Sequence, residues 1–191
     1  MQRANLPYRW QLSTYARMMR LIGDDRDQTC IAGYAATPQR EKIAWISKII
    51  AYTPPDAVAV MSDNLHLINQ EATIGELLNN RKIRGAFIKG ALYGDKMQPL
   101  IQIGKARHLF ISGGDDDLAN LVVHRRVHYA FLNEPQVAFL NQRMAGAKGL
   151  VAILLKGMAA PTSRHILCSR SVPISVRRKI DAAILPVTRP E

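Results

Sequence analysis

The chain has 191 residues, 48% of them hydrophobic, which is enough apolar content for one core or two small ones. No stretch approaches the roughly 20 apolar residues of a membrane-spanning helix, so no membrane span is expected within it. Twenty-six Lys and Arg against 15 Asp and Glu give a formal charge of +11, yet Arg81-Lys82-Ile83-Arg84, His124-Arg125-Arg126 and Arg177-Arg178-Lys179 lie far apart without base-stacking aromatics, so solvated basic faces are the simpler account and nucleic acid is disfavoured.

In chain order, residues 6–12 alternate tolerably around Tyr8 and Trp10 and predict a short strand. Ser13 or Thr14 caps a helix over 15–22 that Gly23 and the polar run 24–27 terminate, and residues 29–34 suit a buried strand. Strand, helix, strand predicts a right-handed βαβ unit with a parallel sheet. Cys30 and Cys168 form no CxxC motif, and each lies in an apolar run. Buried free thiols are the plain reading, and a disulfide between neighbouring strands stays open.

Ala36-Thr37-Pro38 breaks the strand. Thr37 is biased away from helix by the following proline, Pro38 suits a first helical turn, and the Thr37 hydroxyl can cap that turn. Arg40 then stands in the first turn beyond the carboxyl end of a strand, where open α/β sheets bind ligands. A guanidinium there can grip a carboxylate through two hydrogen bonds, with Tyr34 and Thr37 beside it.

An apolar run at 49–52, the turn Thr53-Pro54-Pro55-Asp56 and a strand at 57–61 follow. Thr73 with Glu76 predicts a capping box on a helix at 74–80. A strand at 85–89 leads into Lys89-Gly90-Ala91-Leu92-Tyr93-Gly94, which lacks the GxxxxGK[ST] of a nucleotide loop. After a strand at 107–112, Asp115-Asp116-Asp117 suits the first turn of a helix better than a metal site. His124 and His128 stand four apart without the glutamate of a zinc motif, and residues 126–132 predict a buried strand that Asn133-Glu134-Pro135 ends. A strand at 149–155, a flexible connection at 157–163, a strand at 165–169 and a helix at 174–185 opened by Pro173 complete the chain. No nucleophile–base pair, metal cluster or cofactor fingerprint stands out, so no catalytic residue, metal or cofactor is assigned and an enzyme is disfavoured.

The stretch CIAGYAATPQREKIAWIS, with Thr37-Pro38-x-Arg40-Glu41 followed by Ala44-Trp45-Ile46-Ser47, resembles the bacterial extracellular solute-binding proteins of family 3. Weaker likenesses run collinearly from about Pro7 to Leu185. The resemblance implies an α/β, two-lobe type 2 periplasmic-binding-protein-like fold, N-terminally truncated by a strand and helix, with lobe one at residues 1–61 plus 156–191 and lobe two at 62–155. Ser62-Asp63-Asn64 would be the hinge.

It further implies that a small polar, anionic solute is bound by closure of the lobes, through Tyr34, Thr37, Arg40, Lys89, Gly90, Tyr93 and Asn133. Asn133 falls where amino-acid receptors have an aspartate, and Ala35 where they often have Ser or Thr. Both departures point away from a free α-amino acid. An ABC transporter membrane component is the implied partner and the periplasm the implied location, although residues 1–12 encode no signal peptide. The alternatives are a basic nucleic-acid-binding protein and a sensor or enzyme domain on the same fold. Lobe one, short of a strand, is expected to be the weaker half.

Overall fold

A computed structural model of the chain describes residues 2–94, 97–158 and 161–188. In chain order the strands are β1 (Cys30–Tyr34), β2 (Trp45–Ile46), β3 (Ala51–Thr53), β4 (Ala57–Met61), β5 (Gly85–Ile88), β6 (Leu109–Ile111), β7 (Tyr129–Leu132), β8 (Leu150–Ile153) and β9 (Thr162–Cys168). The helices are α1 (Tyr15–Asp24), α2 (Pro38–Glu41), α3 (Ile74–Asn79), α4 (Met97–Ile103), α5 (Asp115–Val123), α6 (Glu134–Arg143) and α7 (Ile174–Ala183). They fall into two compact units, Met1–Thr53 with Pro161–Glu191, and Pro54–Ala160.

In the first unit β9 is the central strand. It pairs antiparallel with β1 on one side and with β2 and β3 on the other. The expected parallel βαβ unit is therefore corrected. Residues 6–12 join no strand, and Trp10 is 76% exposed. Alternation alone makes no strand without an edge to pair with, and among the described residues β1 pairs only with β9. Helix α1 runs through Gly23 and ends at Asp25, whose φ of 53° makes the left-handed cap. Its Tyr15, Met18, Met19 and Ile22 follow helical spacing; Ile22 packs with Ile31, Ala44 and Leu167 against one face of the sheet, and the two methionines pack against that cluster. Val172 and Ile180 pack with Cys168 on the other face.

Cys30 stands directly opposite Cys168 in the antiparallel register, and the two form a disulfide rather than free thiols. The register explains it: paired residues on neighbouring strands bring their Cβ atoms within bonding reach.

The second unit carries a mixed sheet in the order β6-β5-β7-β4-β8. Strand β5 is parallel to β6 and β7, and β4 is antiparallel to β7 and β8. Both faces are covered. Val58, Val60, Phe87, Tyr129 and Phe131 point into one cluster with α3 and α4, while Ala59, Ala86, Ala130 and Leu132 point into the other with α5 and α6. This alternation within unbroken apolar runs is the pleat of a sheet buried on both sides.

Strand Ala57–Met61, expected in lobe one, thus lies inside the second unit. The crossings fall at Thr53/Pro54 and Ala160/Pro161 rather than at 61/62 and 155/156. Ser62–Leu67 is a 3-10 helix within that unit, not the hinge. The physical reason is that β4 finds ladder partners on both sides there.

Candidate functional site

In the first unit the site builds from the carboxyl end of β1. A bulge at Gly33, with φ of 87°, shifts the register between Ala32 and Tyr34 and turns the strand toward α2. The Thr37 hydroxyl accepts the Arg40 N–H at 3.3 Å with Pro38 in the first turn, so the short helix starts as its sequence dictates. Thr37 is thereby a cap, its hydroxyl engaged by the backbone.

Arg40 is 5% exposed. Its Nη1 donates to the Ala35 carbonyl at 2.6 Å and its Nη2 donates to the Tyr15 hydroxyl. The guanidinium carbon lies 5.3 Å from the Tyr34 ring centre and 6.0 Å from that of Tyr15. No carboxylate of the described residues pairs with it. A buried guanidinium met only by a carbonyl, a hydroxyl and two aromatic faces is an under-compensated charge. Burial pushes the Tyr34 hydroxyl up to about 12, with Tyr15 adding and Arg40 opposing. Burial also raises Tyr15, against the lowering by the Arg40 charge and hydrogen bond.

Tyr15 was not among the residues singled out from sequence. The signal that could have found it is its place on the apolar stripe with Met18, Met19 and Ile22, which turns its ring inward.

In the second unit the parallel strands β5, β6 and β7 present their carboxyl ends at one edge, continued by Lys89, Ser112 and Asn133. The Lys89 N–H donates to the Ile111 carbonyl at 2.7 Å, and Lys89 and Gly90 are exposed, Gly90 with φ of 83°. Asn133 caps α6. Its side-chain oxygen accepts the Gln136 N–H at 3.0 Å, while Gln136 Oε1 accepts the Asn133 N–H at 2.8 Å. Gln136 Nε2 in turn donates to Asp115, whose carboxyl is pushed up by burial, opposed by that hydrogen bond. A side-chain oxygen at 133 therefore has a structural reason.

Tyr93 is a correction. Its ring, expected in an open loop, is buried against Phe87 and Phe131, and its hydroxyl accepts the Ile88 N–H at 2.8 Å, so the ring belongs to the core. The apolar ring gains more from the core than from an exposed loop. Asp95 and Lys96 of the same loop lie outside the described residues, and the helix that follows has seven residues.

His124 Nδ1 lies 2.9 Å from the Asn120 carbonyl, and His128 Nδ1 accepts the Arg84 N–H at 2.9 Å, so the two are held separately. Among the described residues no group of three His, Cys, Asp or Glu could hold a metal ion, and no helix is long and apolar enough to cross a membrane.

No protein-family model matches the chain, and no curated protein matches it either. Solved structures do. An ancestral arginine-binding protein bound to arginine superimposes with a TM-score of 0.72 at 11% identity, covering 96% of this chain and 75% of that one. The GluR0 ligand-binding core from Nostoc punctiforme in complex with L-glutamate gives 0.70 at 14% identity, over 96% of this chain and 77% of that one. An amino acid ABC transporter substrate-binding protein from Streptococcus pneumoniae bound to L-arginine gives 0.67 at 13% identity, over 90% and 66%. At such identities the likeness is one of architecture: the chain carries the α/β type 2 periplasmic-binding fold that these solute-binding structures share.

Proposed function

We propose that this protein is a solute-binding component of an ABC-type transport system, and that it recognises a small polar solute through an anionic group held by Arg40. The observation that carries the proposal is the under-compensated charge of Arg40, buried at the carboxyl end of β1 with no acidic partner among the described residues. A carboxylate supplies what that guanidinium lacks, two charge-assisted hydrogen bonds in a geometry that matches it. Lys89, Gly90 and Asn133, at the carboxyl edge of the second unit's sheet, are the contacts proposed from that unit. The fold shared with amino-acid receptors supports a binding role, and no enzyme role is proposed. The Cys30–Cys168 disulfide supports an oxidising compartment outside the cytoplasm.

Isothermal calorimetry with the parent protein, Arg40→Lys and Arg40→Ala tests the proposal. The probes are succinate and malate, which lack an ammonium group, beside glutamate, glutamine and arginine. Arg40→Ala is expected to cost on the order of 2–4 kcal/mol of affinity, and Arg40→Lys to recover part of it, because a point charge replaces a bidentate fork. Equal affinity of Arg40→Ala and parent for every probe they bind would remove Arg40 as the anion contact.

A further inference from the structure

Tyr15 stands at the first position of α1, with Thr14 as the cap that starts the helix, and its stripe partners face the core of the first unit. Its hydroxyl accepts from Arg40 Nη2, its ring lies within cation–π distance of the same guanidinium, and its ring centre is 5.3 Å from that of Tyr34. Tyr34 is oriented in turn by Met18, whose sulfur lies 3.9 Å from its hydroxyl. The guanidinium is thus walled by two rings, with one outer N–H engaged by a neutral hydroxyl and one by a backbone carbonyl.

We propose that Tyr15 is a latch on Arg40, a positioning residue whose hydroxyl holds the guanidinium hydrogen bond that a solute's anionic oxygen takes over on binding. The inference rests on the reading of Arg40 as the anion contact and adds the threshold that an acceptor must exceed to use it. A neutral acceptor that displaces Tyr15 exchanges one guanidinium bond to a neutral oxygen for another and gains nothing. A carboxylate exchanges it for a bond in which both partners are charged, with room for a second in the bidentate geometry. The rings of Tyr15 and Tyr34 remain as π faces in either state, so the latch costs the cation little of its burial. Tyr15 thereby sets a threshold: an acceptor no stronger than its hydroxyl gains nothing from Arg40, while a carboxylate keeps a surplus.

The test begins without a solute. Phenylglyoxal adds covalently to accessible guanidinium groups, and peptide mass spectrometry reads its rate at Arg40 against the exposed Arg125 as internal reference. Arg40 should react far more slowly than Arg125 in the parent, faster in Tyr15→Phe, which keeps the ring and removes only the hydroxyl, and fastest in Tyr15→Ala. Should Tyr15→Ala fail to fold, Tyr15→Phe carries the comparison. The second arm is calorimetry with succinate and succinamide: both should bind Tyr15→Phe about tenfold more tightly than parent, the factor one displaced hydrogen bond is worth, with succinate the tighter of the two in each protein.

Equal reaction rates at Arg40 in parent and Tyr15→Phe would overturn the latch, as would a loss of succinate affinity in Tyr15→Phe. A faster rate in Tyr15→Phe with no protection of Arg40 by succinate, malate or phosphate in any variant would instead overturn the anion-contact reading, leaving Tyr15 as a shield over a structural arginine.

Discussion

Reduction of the Cys30–Cys168 disulfide should unfold the first unit and spare the second. The bond closes a loop with a sequence separation of 138, of which the second unit, Pro54–Ala160, stays folded; for the roughly 30 residues that are left loop-closure entropy assigns it about 4 kcal/mol. The units are unequal in what else holds them. The clusters of the first unit contain Ile22, Ile31, Ala44 and Leu167 on one face and Cys168, Val172 and Ile180 on the other. Those of the second contain 14 and 11 buried residues among those described, with Phe87, Tyr129 and Phe131 in the first of them. A small unit with so thin a core sits near the low end of the roughly 5–15 kcal/mol by which domains are stable, so about 4 kcal/mol is most of it.

The assay is hydrogen exchange by mass spectrometry with and without reductant, repeated on Cys30→Ala with Cys168→Ala. Peptides covering Ile31 and Leu167 should lose protection by several orders of magnitude, while those covering Phe87 and Phe131 keep theirs. Trp45, whose strand position faces Cys168, offers a second signal, since its fluorescence should rise once the neighbouring disulfide is opened. Unchanged protection at Ile31 and Leu167 in the fully reduced protein would refute the argument, because it would mean that the thin core suffices by itself.

Gly85→Ala should cost the second unit upward of about 2 kcal/mol, because a Cβ there would lie 2.5 Å from the Tyr129 ring between packed strands; a near-parent melting temperature by circular dichroism would show that the ring yields freely. Asn133→Ala should cost about 1 kcal/mol through the lost cap on α6, and Asn133→Asp should keep it; a variant of parent stability but altered solute binding would make Asn133 a contact instead. Burial, and then the charge of Arg107, hold the His108 imidazole below its ordinary 6.5, partly offset by the Leu78 carbonyl. The unfolded chain takes up that proton as pH falls below 6.5 while the folded one resists. The second unit should therefore be most stable above that value and weaken toward pH 5, and His108→Gln should flatten the profile measured by urea unfolding. Duplex DNA titrated at rising salt should show weak binding throughout; tight binding that falls steeply with salt would favour the nucleic-acid alternative over a solute receptor.

What the sequence by itself determined are features closed within a few residues. The Thr37 cap with Pro38 and Arg40, the Thr73–Glu76 capping box, the acidic first turn of α5 and the covered runs of β4 and β7 all follow from neighbours along the chain, and each stands in the structure as its residues dictate. The position of Arg40 just past β1 belongs with them, since it needs only a strand, a break and a turn. Tertiary structure decided everything that depends on partners far away in sequence. Cys30 meets Cys168, β1 and β9 run antiparallel, and β4 is drawn into the second sheet because β7 and β8 satisfy both its edges. Tyr93 turns into the core because Phe131 waits there, and Arg40 is enclosed because Tyr15, 25 residues earlier, brings its hydroxyl to it. Periodicity records which side of an element is apolar, but pairing and enclosure are set by competition among all the surfaces that the folded chain brings together, and that competition has no local signature.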